Sequence, residues 1–155
     1  VEARAARDYW GQLFPDFVRH GGDDYRNKCL NYGYAVVRSG LARALVAYGL
    51  LPALGLHHAS ASNAFNLADD LVEPFRPFVD ALVWRLANTG TRRDGDPSQP
   101  DRQTLAGLPM GNAKVGRETV TLLVAMEKAA ESLVQCLETG SSAALRLPRL
   151  MESAS

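Results

Sequence analysis

The chain has 155 residues, of which 46% are hydrophobic, so it is long enough to bury the core of one domain. Its 17 basic and 17 acidic side chains cancel, which excludes a protein whose overall charge draws it to nucleic acid or membranes. No apolar run reaches the roughly 20 residues of a membrane span. The two cysteines lack metal-type spacing, and we expect a reduced, cytoplasmic protein that binds no membrane.

Apolar side chains spaced three and four residues apart predict two helices in the first third of the chain. The first covers residues 1–14 and ends before Pro15 and the glycines at 21–22. The second runs from Tyr25 to Tyr48, and Gly49 ends it as a C-terminal cap. Because the sequence opens as a helix interior, without Met or a capping residue, we expect a fragment of a longer protein.

The segment from Leu51 to Asp80 carries the residues that suggest chemistry. A helix is predicted from about residue 64, and Asp69, Asp70 and Glu73 fall on one of its faces. Pro74 should kink or end that helix beside Glu73, since it removes a backbone donor and disfavours helical geometry in the preceding residue. Only Arg76 balances four acidic side chains here, so a cation could neutralise the segment.

The rest of the chain is predicted as helix and loop. A helix over 78–87 is followed by a polar, mobile loop over about 88–101. A long helix should then run from about Lys114 to Glu138 and end at Gly140, with a short helix near 143–151. Because no run of alternating β-branched residues appears, the expected fold class is all-α, as a single multi-helix domain over 1–155.

A histidine followed by carboxylates one helical turn apart is a donor set for a divalent cation. Like charges so close repel each other, and a bound cation would offset that cost. One imidazole with several carboxylates suits Mn²⁺ or Mg²⁺ better than structural zinc. Each part has an ordinary explanation, either a solvated helix face or a packed histidine. The residues alone therefore leave open a non-catalytic helical module that binds DNA or protein and has a solvated acidic face.

Three motifs in this order carry a resemblance to a known family. They are NYGY at 31–34, LPALGLHH at 51–58 and DLVEPFRPFVD at 70–80. With these motifs the chain closely resembles the CRISPR-associated spacer integrase, the catalytic subunit of the adaptation complex. The resemblance spans essentially the whole chain as the helical C-terminal domain of that family, whose β-rich N-terminal domain is absent from this chain. The segments NAFNLADDL at 63–71 and EPFRP at 73–77 most resemble the branch that accompanies single-effector systems of the Cas9 type.

The resemblance implies a metal-dependent DNA endonuclease and integrase that inserts new spacers into a CRISPR array. In this reaction the 3′-hydroxyl of a captured DNA attacks a phosphodiester of a CRISPR repeat. The metal ligands of the family carry over onto Glu2, His58 and Glu73, and Asp70 matches an acidic catalytic position in the same pocket. His57 departs from the pattern, and we expect it either to support a metal ligand from behind or to have a packing role. Also implied are Mg²⁺ or Mn²⁺, double-stranded DNA, a homodimer and a smaller CRISPR-associated partner protein.

DNA that reaches an acidic pocket needs basic side chains nearby to hold its backbone. The candidates, which could equally be ordinary solvated surface, are Arg4, Tyr25, Arg26, Lys28 and Arg38. We expect the isolated chain to bind metal weakly and to have little integrase activity. A helical metallohydrolase acting on small phosphoesters is a further alternative, which the polar loop and the basic flanks do not favour.

Overall fold

Six helices and a small sheet make up residues 2–19, 23–89 and 94–151, the part of the chain that the computed structural model describes, with side chains from Asp8 onward. The helices are α1 (Glu2–Leu13), α2 (Tyr25–Ala47), α3 (Asn66–Val72), α4 (Arg76–Thr89), α5 (Gln99–Ala106) and α6 (Leu122–Thr139). The strands are β1 (Asn112–Val115), β2 (Glu118–Thr121) and β3 (Pro148–Arg149).

Helix α2 lies at the centre of the molecule and packs against α3, α4, α5 and α6. Its apolar stripe, which includes Leu30, Val37 and Leu41, is fully buried in the hydrophobic core. Asp24 caps its first turn by accepting a hydrogen bond from the Arg26 amide at 2.7 Å, and Gly49 follows its end with a φ of 80°. The predicted bounds of this helix are confirmed. None of the described helices is long and apolar enough to cross a bilayer.

The helix that carries the acidic residues is broken at Pro74, as predicted. Helix α3 ends at Val72, a single 3₁₀ turn covers Glu73–Phe75, and α4 continues from Arg76. This break places Glu73 in the turn between two helices rather than on a regular helix face.

The loop predicted over 88–101 is shorter than expected. Thr89 still belongs to α4, and α5 begins at Gln99. Ser98 and Asp101 form a reciprocal capping box at the start of α5, which supplies partners for two otherwise unpaired amides. The ion pair between Asp96 and Lys28 ties the segment before α5 to α2.

The long helix predicted from Lys114 to Glu138 is wrong over its first eight residues. Residues 112–121 form an antiparallel hairpin, β1–β2, in which Val115 pairs with Glu118. Gly116 occupies the first of the two loop positions with a φ of 60°, as type II′ hairpin turns require. Thr121 then caps α6 by accepting from the Val124 amide. The fold is therefore mostly helical with a small sheet, and the all-α expectation is corrected.

The short helix predicted near 143–151 is also wrong. A single 3₁₀ turn at Ser142–Ala144 leads into β3, because Pro148 disfavours helical geometry in the residue before it. Strand β3 pairs with β1, which gives the strand order β2-β1-β3. Gly140 ends α6 in the left-handed conformation, as predicted. Strand β3 also packs against the 3₁₀ turn that carries Glu73.

Candidate functional site

The loop between α2 and α3 is held by the first turn of α3. The Asn66 side-chain amide donates to the carbonyls of Ala53 and Ser60 at 3.0 and 2.8 Å, and the Leu67 amide donates to the Pro52 carbonyl. Asn66 is almost fully buried, although its spacing predicts the same helix face as the carboxylates. Its position fixes the course of the loop that carries His58.

Gly55 allows this loop to pass close over α3. A Cβ atom at this position would lie 2.1 Å from the His58 carbonyl oxygen and 3.0 Å from Oδ2 of Asp70. Contacts of this kind leave no room for a side chain, so only glycine fits the observed backbone. The loop then turns its next three amides toward Asp70.

The Asp70 carboxylate accepts four hydrogen bonds from that loop. Oδ2 accepts from the amides of Leu56 and His57 at 2.5 and 3.0 Å. Oδ1 accepts from the amide of His58 at 3.1 Å and lies 2.6 Å from Nδ1 of the same residue. Since a carboxylate offers about four lone-pair positions, this one is saturated by the protein.

These contacts also set the proton on the His58 ring. Burial tends to raise the pKa of Asp70, but the hydrogen bonds from His57, His58 and Leu56 outweigh it and lower the pKa to about 2. An ionised carboxylate only accepts, so Nδ1 is the ring nitrogen of His58 that donates, and Nε2 is the nitrogen whose lone pair the neutral form of the ring offers to a ligand. The His58 side chain is half exposed, which leaves Nε2 available to a ligand. This carboxylate–imidazole arrangement is the one that orients metal-binding histidines in proteins.

Glu73 lies apart from this pair in the described contacts. Its side chain is 60% exposed and forms an ion pair with Arg76 at 2.9 Å, one turn away. Among the side chains that the structure describes, no three His, Cys, Asp or Glu residues come together as a metal-binding group. The side chain of Glu2 lies outside the described residues, so the metal assignment of Glu2, His58 and Glu73 stays a prediction. The donor types nevertheless suit Mg²⁺ or Mn²⁺.

Asp69 is neutralised by Arg38 rather than by a bound cation. The Arg38 guanidinium donates to Oδ2 of Asp69 at 2.8 Å, and its Nε lies 2.7 Å from Oδ1 as an ion-pair contact outside hydrogen-bond geometry. Asn63 donates to the same carboxylate, and the guanidinium also stacks 4.5 Å from the centre of the Phe65 ring. All three carboxylates of the predicted acidic face therefore have partners, and only Glu73 is substantially exposed.

Comparison with known families identifies the chain. The family model for the CRISPR associated protein Cas1 matches residues 1–106. The chain belongs to the Cas1 family. It is 36% identical over 150 residues to the CRISPR-associated endonuclease Cas1 of Neisseria meningitidis, an alignment that covers 97% of this chain and 49% of that protein. It is 39% identical over 98 residues to the CRISPR-associated endonuclease Cas1 1 of Pyrobaculum aerophilum, covering 61% of this chain and 32% of that protein.

A solved structure shares the fold of this Cas1-family chain. The structure of a casposase bound to an integration product superimposes with a TM-score of 0.74 and 23% sequence identity, over 90% of this chain and 47% of that one. The chain thus spans about half the length of the Neisseria relative and of the casposase.

The residues at the start of α2 that are predicted to contact DNA are buried or form ion pairs within this Cas1-family chain. Tyr25 is buried, which contradicts its assignment to the surface. Arg26 pairs with Asp24 at 2.6 Å, and Lys28 pairs with Asp23 and Asp96. Arg38 is held by Asp69, as described above, and the side chain of Arg4 lies outside the described residues. DNA contact by Arg4, Arg26, Lys28 and Arg38 stays a prediction.

A buried carboxylate that sequence reasoning left without a role joins three helices of this Cas1-family chain. Asp80 in α4 is 3% exposed and accepts hydrogen bonds from the hydroxyls of Tyr9 in α1, at 2.5 Å, and Tyr34 in α2. Burial raises the pKa of Asp80, and the two tyrosines and nearby Arg76 offset part of that effect. Arg76 also lies 5.4 Å from the centre of the Tyr34 ring.

This cluster bears on the site because α1 also carries position 2. Glu2 and Tyr9 are seven residues apart, so their positions share one face of α1. The signal that could have found Asp80 was its place at the end of the FRPFVD motif, a charged residue that follows an apolar run at helical spacing.

Proposed function

We propose that this chain is the metal-binding helical part of a DNA endonuclease and integrase that inserts new spacers into a CRISPR array. The observation that carries the proposal is the saturated Asp70 carboxylate, which fixes the His58 ring and leaves its Nε2 lone pair free. Membership of the Cas1 family supports the DNA chemistry, since the Neisseria and Pyrobaculum relatives are named as endonucleases.

In this proposal His58 and Glu73 hold a Mg²⁺ or Mn²⁺ ion, and Glu2 supplies the third ligand. Such an ion, when bound, polarises a phosphodiester and offsets charge on the attacking and leaving oxygens. Asp70 keeps His58 in one tautomer and one orientation, so it acts as a positioning residue. Arg76 stands beside Glu73 and limits the repulsion among the carboxylates before a cation arrives.

The reaction we assign to the site is transfer of a phosphodiester between two oxygens. The 3′-hydroxyl of a captured DNA forms a new P–O bond as the bond to the leaving 3′ oxygen breaks, and the proton released by the attacking hydroxyl balances the one that the leaving oxygen gains. Water in place of that hydroxyl gives cleavage. A homodimer and a smaller CRISPR-associated partner would align the two DNA ends, which makes the reaction effectively unimolecular.

The main alternative is a non-catalytic helical module with a solvated acidic face. The described contacts do not favour it, because Asp69 and Asp70 are paired and largely buried. Solvation remains a fair description of Glu73 alone.

A manganese titration separates these alternatives. Wild-type chain and three variants, His58→Ala, Asp70→Asn and His57→Ala, are titrated with Mn²⁺ and free ion is followed by electron paramagnetic resonance. We expect weak, saturable binding that is lost in His58→Ala, reduced about 10–100-fold in Asp70→Asn, and kept in His57→Ala. His57 is the matched control, since its ring makes only an edge contact with that of His58.

Equal, negligible binding by the wild type and His58→Ala would favour the non-catalytic module. Cleavage of a branched DNA, without cleavage of bis(p-nitrophenyl) phosphate, would separate a DNA enzyme from a hydrolase of small phosphoesters. Robust strand transfer by this chain alone would contradict the expectation that it needs its partners.

A further inference from the structure

A cationic groove lies on the side of the molecule formed by the sheet and α6. It encloses about 670 Å³ between the β1–β2 hairpin, α6 and the segment that leads into β3. Among the residues that the structure describes, its charged lining is Arg117, Lys128, Arg146 and Arg149, with Glu118 as the one acid. The chain as a whole is neutral, so this excess of positive charge is local.

Most of this charge is free of protein partners. Lys128 pairs with Glu118 at 3.0 Å, but within the described ranges no carboxylate pairs with Arg117, Arg146 or Arg149, and all three are exposed. Elsewhere the described arginines that contact carboxylates are Arg26, Arg38 and Arg76, as shown above. The cations that sequence reasoning assigned to DNA are largely neutralised, and these three are not.

The strand register places a further cation beside Arg149. Lys114 in β1 lies directly opposite Arg149 in β3, and both alternate with buried neighbours, so they share the outer face of the sheet. Like charges directly opposite each other in a sheet are destabilising. An anion placed between them would relieve that repulsion, which is a reason to expect a ligand here.

The groove is also next to the candidate metal site. Strand β3, with Arg149, packs against the 3₁₀ turn that begins at Glu73. A polyanion held at Arg149 would therefore lie one structural element away from this turn. The groove is built entirely from residues beyond 106, where the match to the family model ends.

We infer that this groove binds the phosphodiester backbone of DNA and directs it toward Glu73. The inference rests on the proposed function, since it assigns the surface that holds the substrate of that same site. Guanidinium groups suit phosphate because they offer paired donors in a planar fork. Contacts of this kind position a nucleic acid without reading its sequence.

The inference is tested by the salt dependence of DNA binding. Wild-type chain and variants are titrated into a fluorescein-labelled duplex of random sequence, and anisotropy is measured over a series of salt concentrations. Each lost phosphate contact should lower the slope of log K against log salt by about one, which is about an eightfold loss of affinity near 0.1 M salt. The double variant Arg146→Ala/Arg149→Ala should therefore bind about 60-fold more weakly, with a slope lower by about two.

Two further variants serve as controls. They separate the loss of phosphate contacts from unfolding and from a general change of net charge. Glu118→Gln removes the acid that pairs with Lys128 in the groove, so this variant should bind DNA several-fold more tightly, which an unfolded protein cannot do. Arg85→Ala removes an exposed arginine of α4 outside the groove and should bind as the wild type does. Polyglutamate of matched charge serves as a competitor.

Unchanged binding by the double variant, an equal loss in Arg85→Ala, or no binding by the wild type would each overturn the inference. Competition by polyglutamate as effective as that by unlabelled DNA would overturn it in favour of an acidic protein partner. The proposed function fails separately. If groove variants lose DNA while Mn²⁺ binding does not depend on His58, the groove stands and the metal site falls. If Mn²⁺ binding depends on His58 while groove variants keep DNA, the metal site stands and the groove falls.

Discussion

Replacing Gly55 with alanine should open the loop over Asp70 and destabilise the protein. The new Cβ would lie 2.1 Å from the His58 carbonyl oxygen, and that carbonyl, as backbone, must retreat by about an ångström. The His58 amide already sits 3.1 Å from Asp70, so this shift breaks its hydrogen bond and weakens that of His57. Hydrogen bonds to charged groups contribute about 1.5–3 kcal/mol each, and losing one or two should lower the free energy of unfolding by about 2–4 kcal/mol.

Urea denaturation followed by circular dichroism measures this change, and the same substitution elsewhere provides the control. Nothing lies within 4 Å of a Cβ placed on Gly11 in α1, so Gly11→Ala should be neutral or stabilise by up to about 1 kcal/mol through helix propensity. Mn²⁺ affinity should fall in Gly55→Ala and not in Gly11→Ala. If Gly55→Ala unfolds at the wild-type urea concentration, the close packing of the loop on Asp70 is not what holds His58.

Two further predictions concern the buried carboxylates. In metal-free buffer, Asp70→Asn should lose about 1–2 kcal/mol near pH 7, allowing for solvent screening, because the pKa of Asp70 is lowered from 3.8 to about 2. This stabilisation is present above the ordinary pKa and disappears as the pH falls toward 2, so urea midpoints of the two proteins should converge in acid, and a constant gap would refute the assignment. Tyr9→Phe removes a donor to Asp80 and should cost about 1–2 kcal/mol in thermal or urea unfolding. Tyr48→Phe is the control at similar exposure, and an equal loss in both would show that the Asp80 bond contributes nothing.

The spacing of apolar residues, together with the glycine and proline that end helices, is sufficient to predict the centre of the fold. The α2 bounds followed from apolar spacing with Gly49 at the end, and the break at Glu73 followed from Pro74. Apolar spacing alone misses the hairpin over 112–121, because the spacing of α6 can be extended backward through Gly116, the turn residue between β1 and β2. The pairing of β1 with β3, which completes the sheet, involves residues far along the chain. Helix α5 could have been found from the Ser98-x-x-Asp101 capping box.

The candidate site was predictable in part. The approach of His58 to Asp70 was expected from motif order, but the amides of the loop that saturate Asp70 could not be read from side-chain identity. Spacing alone also cannot predict that Asp69 pairs with Arg38, since the two residues are 31 positions apart in the sequence. Free and neutralised arginines look the same in a sequence, and for that reason the groove at Arg146 and Arg149 was not anticipated.

The hydrogen bonds from backbone amides of the loop to Asp70 have a consequence for sequence variation. The Asp70 carboxylate accepts hydrogen bonds from the main chain at Leu56 and His57, and both of these residues are exposed. Substitutions at these two positions should therefore leave the His58 imidazole in place, provided that Gly55 and Asp70 are kept. A library randomised at these two positions should stay folded, and it offers a place to graft new specificity beside the site.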